Sequence, residues 1–444
     1  MNDAHPLPTA PLPRHTACPG LLRIVQARDG GICRVKLPGG RLSVAQALVI
    51  ADAAEQFASG VIEVTNRANL QIRGVRDGCE QGLIEALLAA ELGPRNSAAD
   101  DVRNLMLSPA AGVDPQQVLD VRPLAEQLLT LLENSESLHQ LSAKFALQVD
   151  GGESLAMLEH HHDLWLSAMA EGGELRMAFG LASCPGEALA AVALEHVPAL
   201  VQACLELFLQ HATPEQTRMR HLLKQMPITA FLAELQARLP FALEQDAEVF
   251  NWRRPAAEPR AHLGARAQRQ AGLVHIGAAP VLGRMTAAQL RAVAHQANDA
   301  LYFTPWQSLL LRDVPGDKAD ALTQALHSLG LLTDSSVPLA RIIACSGSSD
   351  CSKGLAASKT DALLLAELLA GRAPVEQVHL SACKRSCAAA HTAPHTLLAV
   401  SAGHYDLYQR DSSTSGFGRL LARNLTILEA ADTLAAQPDT MRVP

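Results

Sequence analysis

One short segment occurs twice. GRLSVAQ at residues 40–46 returns as GRMTAAQ at 283–289, and around each copy the reading strand, strand, helix, strand recurs. Further on, Thr65 and Arg73 fall opposite Thr304 and Arg312, the stretch from the heptapeptide being four residues shorter in the second copy. A duplication spaced by about 240 residues points to two related halves paired about a pseudo-twofold axis, each giving part of a central site. The alternative is two independent α/β units whose likeness is accidental.

The local patterns place these units. Residues 21–37 read as two short strands around Asp29-Gly30-Gly31, Ser43 as the N-cap of an amphipathic helix, and residues 61–75 as a strand pair with alternating apolar positions. We expect a first half-domain over 18–80 and a second over 271–320. Residues 95–250 carry further short strands (VRNLMLSP, LSAKFALQVDGG, DLWLSAMAE, ELRMAFGLAS) before a Pro/Arg/Ala-rich linker over 251–270. A last domain over 330–430 holds a strand VHLSA, a hairpin TLLAVSAGHYDLYQR and a closing helix FGRLLARNLTILEAADTLA.

That last domain carries two cysteine pairs, Cys345 with Cys351 (C-x5-C) and Cys383 with Cys387 (C-x3-C). Four thiolates in loops of small residues suit a 4Fe-4S cluster, whose sulfides need room and backbone N–H groups. Zinc prefers shorter spacings, and buried packing cysteines are the other alternative. Residues 352–371 read as a helix capped by Gly371, which puts Cys351 at a helix N-terminus. The remaining Cys18, Cys33, Cys79, Cys184 and Cys204 are expected to be packing residues.

Composition narrows the function classes. A net charge of −8 argues against nucleic acid as partner, and 3% aromatic residues leave no stacking platform for single strands. No apolar run reaches the roughly 18–20 residues of a membrane span. Residues 1–17 are Pro-rich without an apolar core and read as a disordered leader; nine cysteines without a secretion signal suggest a reducing cytoplasm.

KLPGG (36–40), TNRANLQIRG (65–74), VRNLMLSPAAGVD (102–114), AKF (143–145) and the two cysteine pairs, in this order, resemble the sirohaem sulfite and nitrite reductase superfamily. The resemblance covers about residues 18–425 and implies an α+β fold. In it, two ferredoxin-like half-domains pair by pseudo-twofold symmetry, alongside two α/β iron-sulfur-type domains. It also implies Cys345, Cys351, Cys383 and Cys387 as 4Fe-4S ligands, Cys387 being the one that bridges to a macrocycle metal in the reductases. Arg67, Arg103 and Lys144 match their carboxylate partners. Arg34, Lys36 and Arg73, with Arg76, complete a ring able to bind the carboxylates of a tetrapyrrole by charge-assisted hydrogen bonds.

Two departures stand out. Where the reductases have a second lysine, two positions after Lys144, this chain has Ala146; and its C-x3-C loop reads CKRSC where CPNSC is common. The chain is also shorter than a typical sulfite reductase haemoprotein. These features fit the precorrin-3B synthase branch, which takes the tetrapyrrole as substrate: O2-dependent hydroxylation of precorrin-3A at C20 with γ-lactone formation, in cobalamin biosynthesis. A sirohaem-dependent sulfite or nitrite reductase is the alternative. The branch implies an electron donor, NADH or a ferredoxin or flavodoxin, and a mononuclear non-haem iron. Candidate iron ligands or proton donors are the EHHHD segment Glu159–Asp163, and His391 and His395. Three adjacent histidines cannot all face one metal. A cytoplasmic monomer is expected.

Overall fold

The computed structural model describes residues 18–436 except 172, 259, 390, 412 and 415; the expected leader lies outside the described residues. The duplicated units form two antiparallel sheets. The first orders strands Val25–Ala27, Gly30–Val35, Leu70–Val75, Val61–Val64 and Arg284–Thr286; the second orders Gly264–Ala267, Leu273–Pro280, Leu309–Pro315, Ala300–Phe303 and Arg41–Ser43. Each therefore ends in a strand lent by the other half. Arg284–Thr286 pairs with Val61–Glu63, and Arg41–Ser43 with Ala300–Tyr302.

The repeated heptapeptide explains this exchange. In each copy it supplies the short lent strand, then an N-cap hydroxyl, then the first helical turn. Ser43 accepts from Gln46 N and Thr286 from Gln289 N, and each glutamine returns a bond to the cap backbone. Such a box satisfies two otherwise orphaned amides. The helices so started, Val44–Phe57 and Ala287–Ala294, pack together, and one core runs through both halves with Leu42, Ile62, Leu290 and Leu301 fully buried. Each such side chain contributes roughly 1.5–3 kcal/mol.

The half-domains exceed the expected bounds. Helix Glu80–Ala89 buries Leu83 and Leu87 in the shared core, and helix Ala319–Ser328 buries Leu326 there. The expected linker also ends in a strand, since Gly264–Ala267 pairs with Val274–Gly277.

Two outer domains share one strand plan. Leu105–Leu107, Leu147–Asp150 and His162–Glu171 run parallel, followed by antiparallel Glu174–Ser183 and Ala190–Ala193. Ile342–Ala344, Val378–Ser381 and His395–Ser401 run parallel, followed by antiparallel His404–Gln409 and Arg419–Leu425. The duplication thus extends beyond the half-domains. The expected closing helix is half strand: Arg419–Leu425 pairs with the preceding strand, and only at Thr426, whose hydroxyl caps Glu429 N, does a helix start.

Candidate functional site

Parallel pairing brings the cysteines together. Strands Ile342–Ala344 and Val378–Ser381 are neighbours in register Ala344 to Leu380, so Cys345 and the Cys383 loop leave the same sheet end side by side. Neighbouring strands stand about 4.8 Å apart. Cys351 returns to this end because the chain folds back tightly: Gly347 has φ of 74°, and a Cβ there would lie 2.7 Å from Ser358 N. A Cβ on Gly354 would likewise meet Gly347 backbone at 2.7 Å.

Burial raises the Cys387 thiol, and Cys383, Cys345 and Cys351 raise it further, each being near enough to oppose a charge on it. Such mutual opposition is what a bound metal relieves by displacing protons. The placement of Cys351 corrects the sequence expectation. It follows the short helix Gly347–Asp350 as its C-cap, and the longer helix starts only at Ser358, because Ser352–Ala357 form the fold-back.

The central half-domain supplies the cationic wall. Arg34 lies on strand Gly30–Val35 opposite Gln71, whose amide oxygen, in the orientation that satisfies both groups, accepts from Arg34 Nε at 3.1 Å and Nη2 at 2.6 Å. Burial lowers the Arg34 pKa while the Cys18 and Cys387 thiols pull it up. Arg67 sits in the turn Thr65–Asn69, where Thr65 Oγ1 accepts from Arg67 N and Asn69 N. Its guanidinium donates to the Ala143 and Lys144 carbonyls at 3.4 and 3.2 Å. Burial, then Arg218 and Arg34, bring it down to about 10. Asn66 Nδ2 donates to Cys387 O at 3.2 Å, tying this turn to the cysteine loop.

Lys36 and Arg103 line one cavity of about 520 Å³ with Arg41, Arg95, Glu91 and Glu133. Lys36 is 3% exposed and donates to Asp100 O. Burial lowers it to about 7, against the pull of Asp100 and Asp101. A proton-transfer group works best when its pKa is near the working pH. Arg103 Nε lies 3.6 Å from Glu133 Oε1. Lys144 is exposed beside Arg67.

Two members of the expected ring are engaged elsewhere. Arg73 donates to both Asp29 oxygens at 2.8 Å and to Glu63 at 3.3 Å, which saturates its fork. It is a structural clasp and leaves the carboxylate ring. Arg76 turns outward and donates to the Ala58 and Gln56 carbonyls.

The two histidine groups meet. His160 lies 4.9 Å from His391 between ring centroids, and His391 Nε2 is 3.0 Å from Glu159 Oε2. Burial drives His160 to about 3, so it is neutral at pH 7, and neither ring nitrogen finds a partner. Leaving such a group unsatisfied costs about 1–3 kcal/mol. His161 is exposed, while Asp163 is taken by Arg218 at 2.7 Å. His395 opens a strand of the last sheet and is buried there. Among the described residues, no three His, Cys, Asp or Glu side chains converge on a point that would hold a single ion.

Ala146 is buried and packs with Met106 and Met157 against Trp306. By the duplication Trp306 is the counterpart of Arg67. The two share one turn, Thr304 Oγ1 accepting from Trp306 N as Thr65 Oγ1 does from Arg67 N. That signal was available in the sequence. Asn66 lies inside TNRANLQIRG, whereas Arg218, Ser358 and Lys359 carry no local mark.

Comparison with known proteins decides the family. The nitrite/sulfite reductase ferredoxin-like half domain matches residues 25–90 and 266–329, and the nitrite and sulphite reductase 4Fe-4S domain matches 98–243. The chain belongs to the nitrite and sulfite reductase superfamily, a group of oxidoreductases. The 4Fe-4S match falls on the first outer domain, while the four cysteines lie in the second, which repeats its strand plan.

Among relatives, a chloroplastic ferredoxin–nitrite reductase of Zea mays is 29% identical over 80% of this chain and 67% of its own length. A precorrin-3B synthase of Sinorhizobium is 27% identical over 88% and 82%. The chain spans 63 to 67% of the length of the plant nitrite reductases it matches. The structure of the Mycobacterium tuberculosis NirA protein superposes with a TM-score of 0.73 at 24% identity, over 90% of this chain and 79% of that one, and shows the same fold. No helix among the described residues is long and apolar enough to cross a membrane.

Proposed function

We propose that this chain is an oxygen-dependent precorrin-3B synthase: it takes precorrin-3A, hydroxylates C20 and closes a γ-lactone from the ring A acetate. The observation that carries the reading is the buried apolar cluster at Ala146. A reductase acting on sulfite or nitrite uses a second cation there to hold a small anion; this chain has methyl, thioether and indole groups instead. Such a buried apolar cluster offers no charge to a small anion at this position. The near-full mutual coverage with the Sinorhizobium synthase supports the same reading.

In this reading Arg34, Arg67, Arg103 and Lys144 bind substrate carboxylates, each charge-assisted bond contributing roughly 1.5–3 kcal/mol. Inserting one oxygen atom from O2 and forming water consumes two electrons and two protons. Cys345, Cys351, Cys383 and Cys387 would hold a 4Fe-4S cluster, which supplies single electrons when bound. Lys36, with its pKa brought to about 7, can give up a proton at neutral pH in this reading. Exposed Lys353, Lys384 and Arg385 flank the cysteines and suit an acidic electron donor of the ferredoxin or flavodoxin kind. No step is assigned to a mononuclear iron.

The second reading, a sirohaem nitrite or sulfite reductase, draws on the plant relatives and the cationic wall. One experiment separates them. Anaerobically purified protein is given precorrin-3A, a reductant and isotopically labelled dioxygen, and the product is weighed by mass spectrometry. Gain of one labelled oxygen atom is expected. Strong Soret and Q bands before any substrate is added, with nitrite or sulfite turnover and no labelled product, would overturn the synthase reading.

A further inference from the structure

Cys345 has surroundings unlike those of the other three cluster cysteines. Ala382 N donates to its Sγ at 3.2 Å, and Ser358 Oγ lies 3.4 Å from the same sulfur while donating to Cys345 O at 2.9 Å. Among the described residues, Ala382 N is the donor bound to a cluster cysteine sulfur, and the Ser358 hydroxyl stands where it can turn its one proton from Cys345 O to a charged Sγ. The next residue, Lys359, is a half-buried cation whose Nζ donates to Leu282 O at 2.6 Å and lies 3.6 Å from Glu63 Oε1. It is also within Coulombic reach of Cys345.

These positions follow from the fold. Helix Ser358–Leu369 connects the two parallel strands that present Cys345 and Cys383, so its first turn must pass beside Cys345. The tight approach at Gly347 and Gly354 presses it close. Lys359 is held on its far side by the Leu282 carbonyl of the second half-domain, so its charge cannot swing into solvent.

We propose that Ser358 and Lys359 are positioning residues that raise the reduction potential of the iron-sulfur cluster by acting on Cys345. The inference rests on the reading that the four cysteines hold a 4Fe-4S cluster. One-electron reduction adds one negative charge to the cluster and its thiolates. A hydrogen bond to a ligand sulfur and a fixed cation nearby stabilise the more negative form, and so favour acceptance of an electron from the donor. Glu63 offsets part of the Lys359 charge, and its own bonds to Arg73 and Arg284 limit that offset.

The test is a mediated redox titration of the full chain, followed by electron paramagnetic resonance with dithionite as reductant. Lys359→Met is expected to keep iron and acid-labile sulfide and to show a midpoint at least 59 mV more negative, a tenfold shift in the one-electron equilibrium. Ser358→Ala should move the same way by less, and Ser358→Thr, which keeps the hydroxyl, should restore the wild-type value. Variants with intact clusters and unmoved or more positive midpoints would overturn the inference. If Lys359→Met fails to fold, the Ala and Thr pair at 358 decides alone. Wild-type protein that holds neither iron nor sulfide after anaerobic reconstitution would overturn the cluster reading itself and this inference with it.

Discussion

Replacing Glu63 by Gln isolates the junction that locks the two halves and the cysteine loop together. Glu63 is 8% exposed on strand Val61–Val64 and receives Arg284 at 2.7 Å, Arg73 at 3.3 Å and Lys359 at 3.6 Å. Arg284 also holds Asp350, next to Cys351. Burial alone would push this carboxyl up; Lys359, Arg73 and Arg284 reverse that and bring it from 4.5 to about 2. At 1.36 kcal/mol per pKa unit, the ionised carboxylate contributes about 3 kcal/mol at pH 7.

The sign follows from a depressed folded pKa. The stabilisation is fully present above about 4.5 and is lost as pH falls toward 2. Glu63→Gln should therefore be less stable by about 3 kcal/mol at pH 7, and the gap should narrow to about 2 kcal/mol at pH 3.5. Urea unfolding followed by circular dichroism at both pH values measures it. A variant as stable as wild type at pH 7, or a gap that does not shrink in acid, would refute the argument.

Further outcomes are expected. Cys387→Ser should lose iron and acid-labile sulfide together, read from visible absorption and chemical assay. Arg67→Ala should raise KM roughly 10- to 150-fold with little change in kcat, the equivalent of one charge-assisted bond; an unchanged KM removes Arg67 from the substrate wall. Activity should fall as pH rises through about 7, where Lys36 loses its proton, and Lys36→Arg should abolish that limb of the profile. Arg254→Met should cost about 3–5 kcal/mol, read by denaturant unfolding, because it strands the fully buried Asp150 to which Arg254 is paired.

The halves, the capping boxes and the cysteine pairs were legible because each is local: a repeated heptapeptide, an N-cap hydroxyl three residues before glutamine, a fixed spacing. What failed was non-local. Arg73 carries the same motif signal as Arg67, yet Asp29 and Glu63 claim it across neighbouring strands, and no pattern along the chain announces that. The leucines of Arg419–Leu425 fit either period, and pairing with His404–Gln409 decides for the strand. His160 and His391 are far apart in sequence and meet only because two outer domains face the same half-domain turn.

The lent strands carry a consequence for how such a molecule could arise and be taken apart. Each half-sheet closes with three residues of the other half, so neither half alone can complete its own sheet. The arrangement is that of two subunits exchanging an edge segment, held in one chain. A proteolytic nick within residues 251–263 should leave both fragments bound to each other, and either one made separately should stay insoluble until its counterpart arrives.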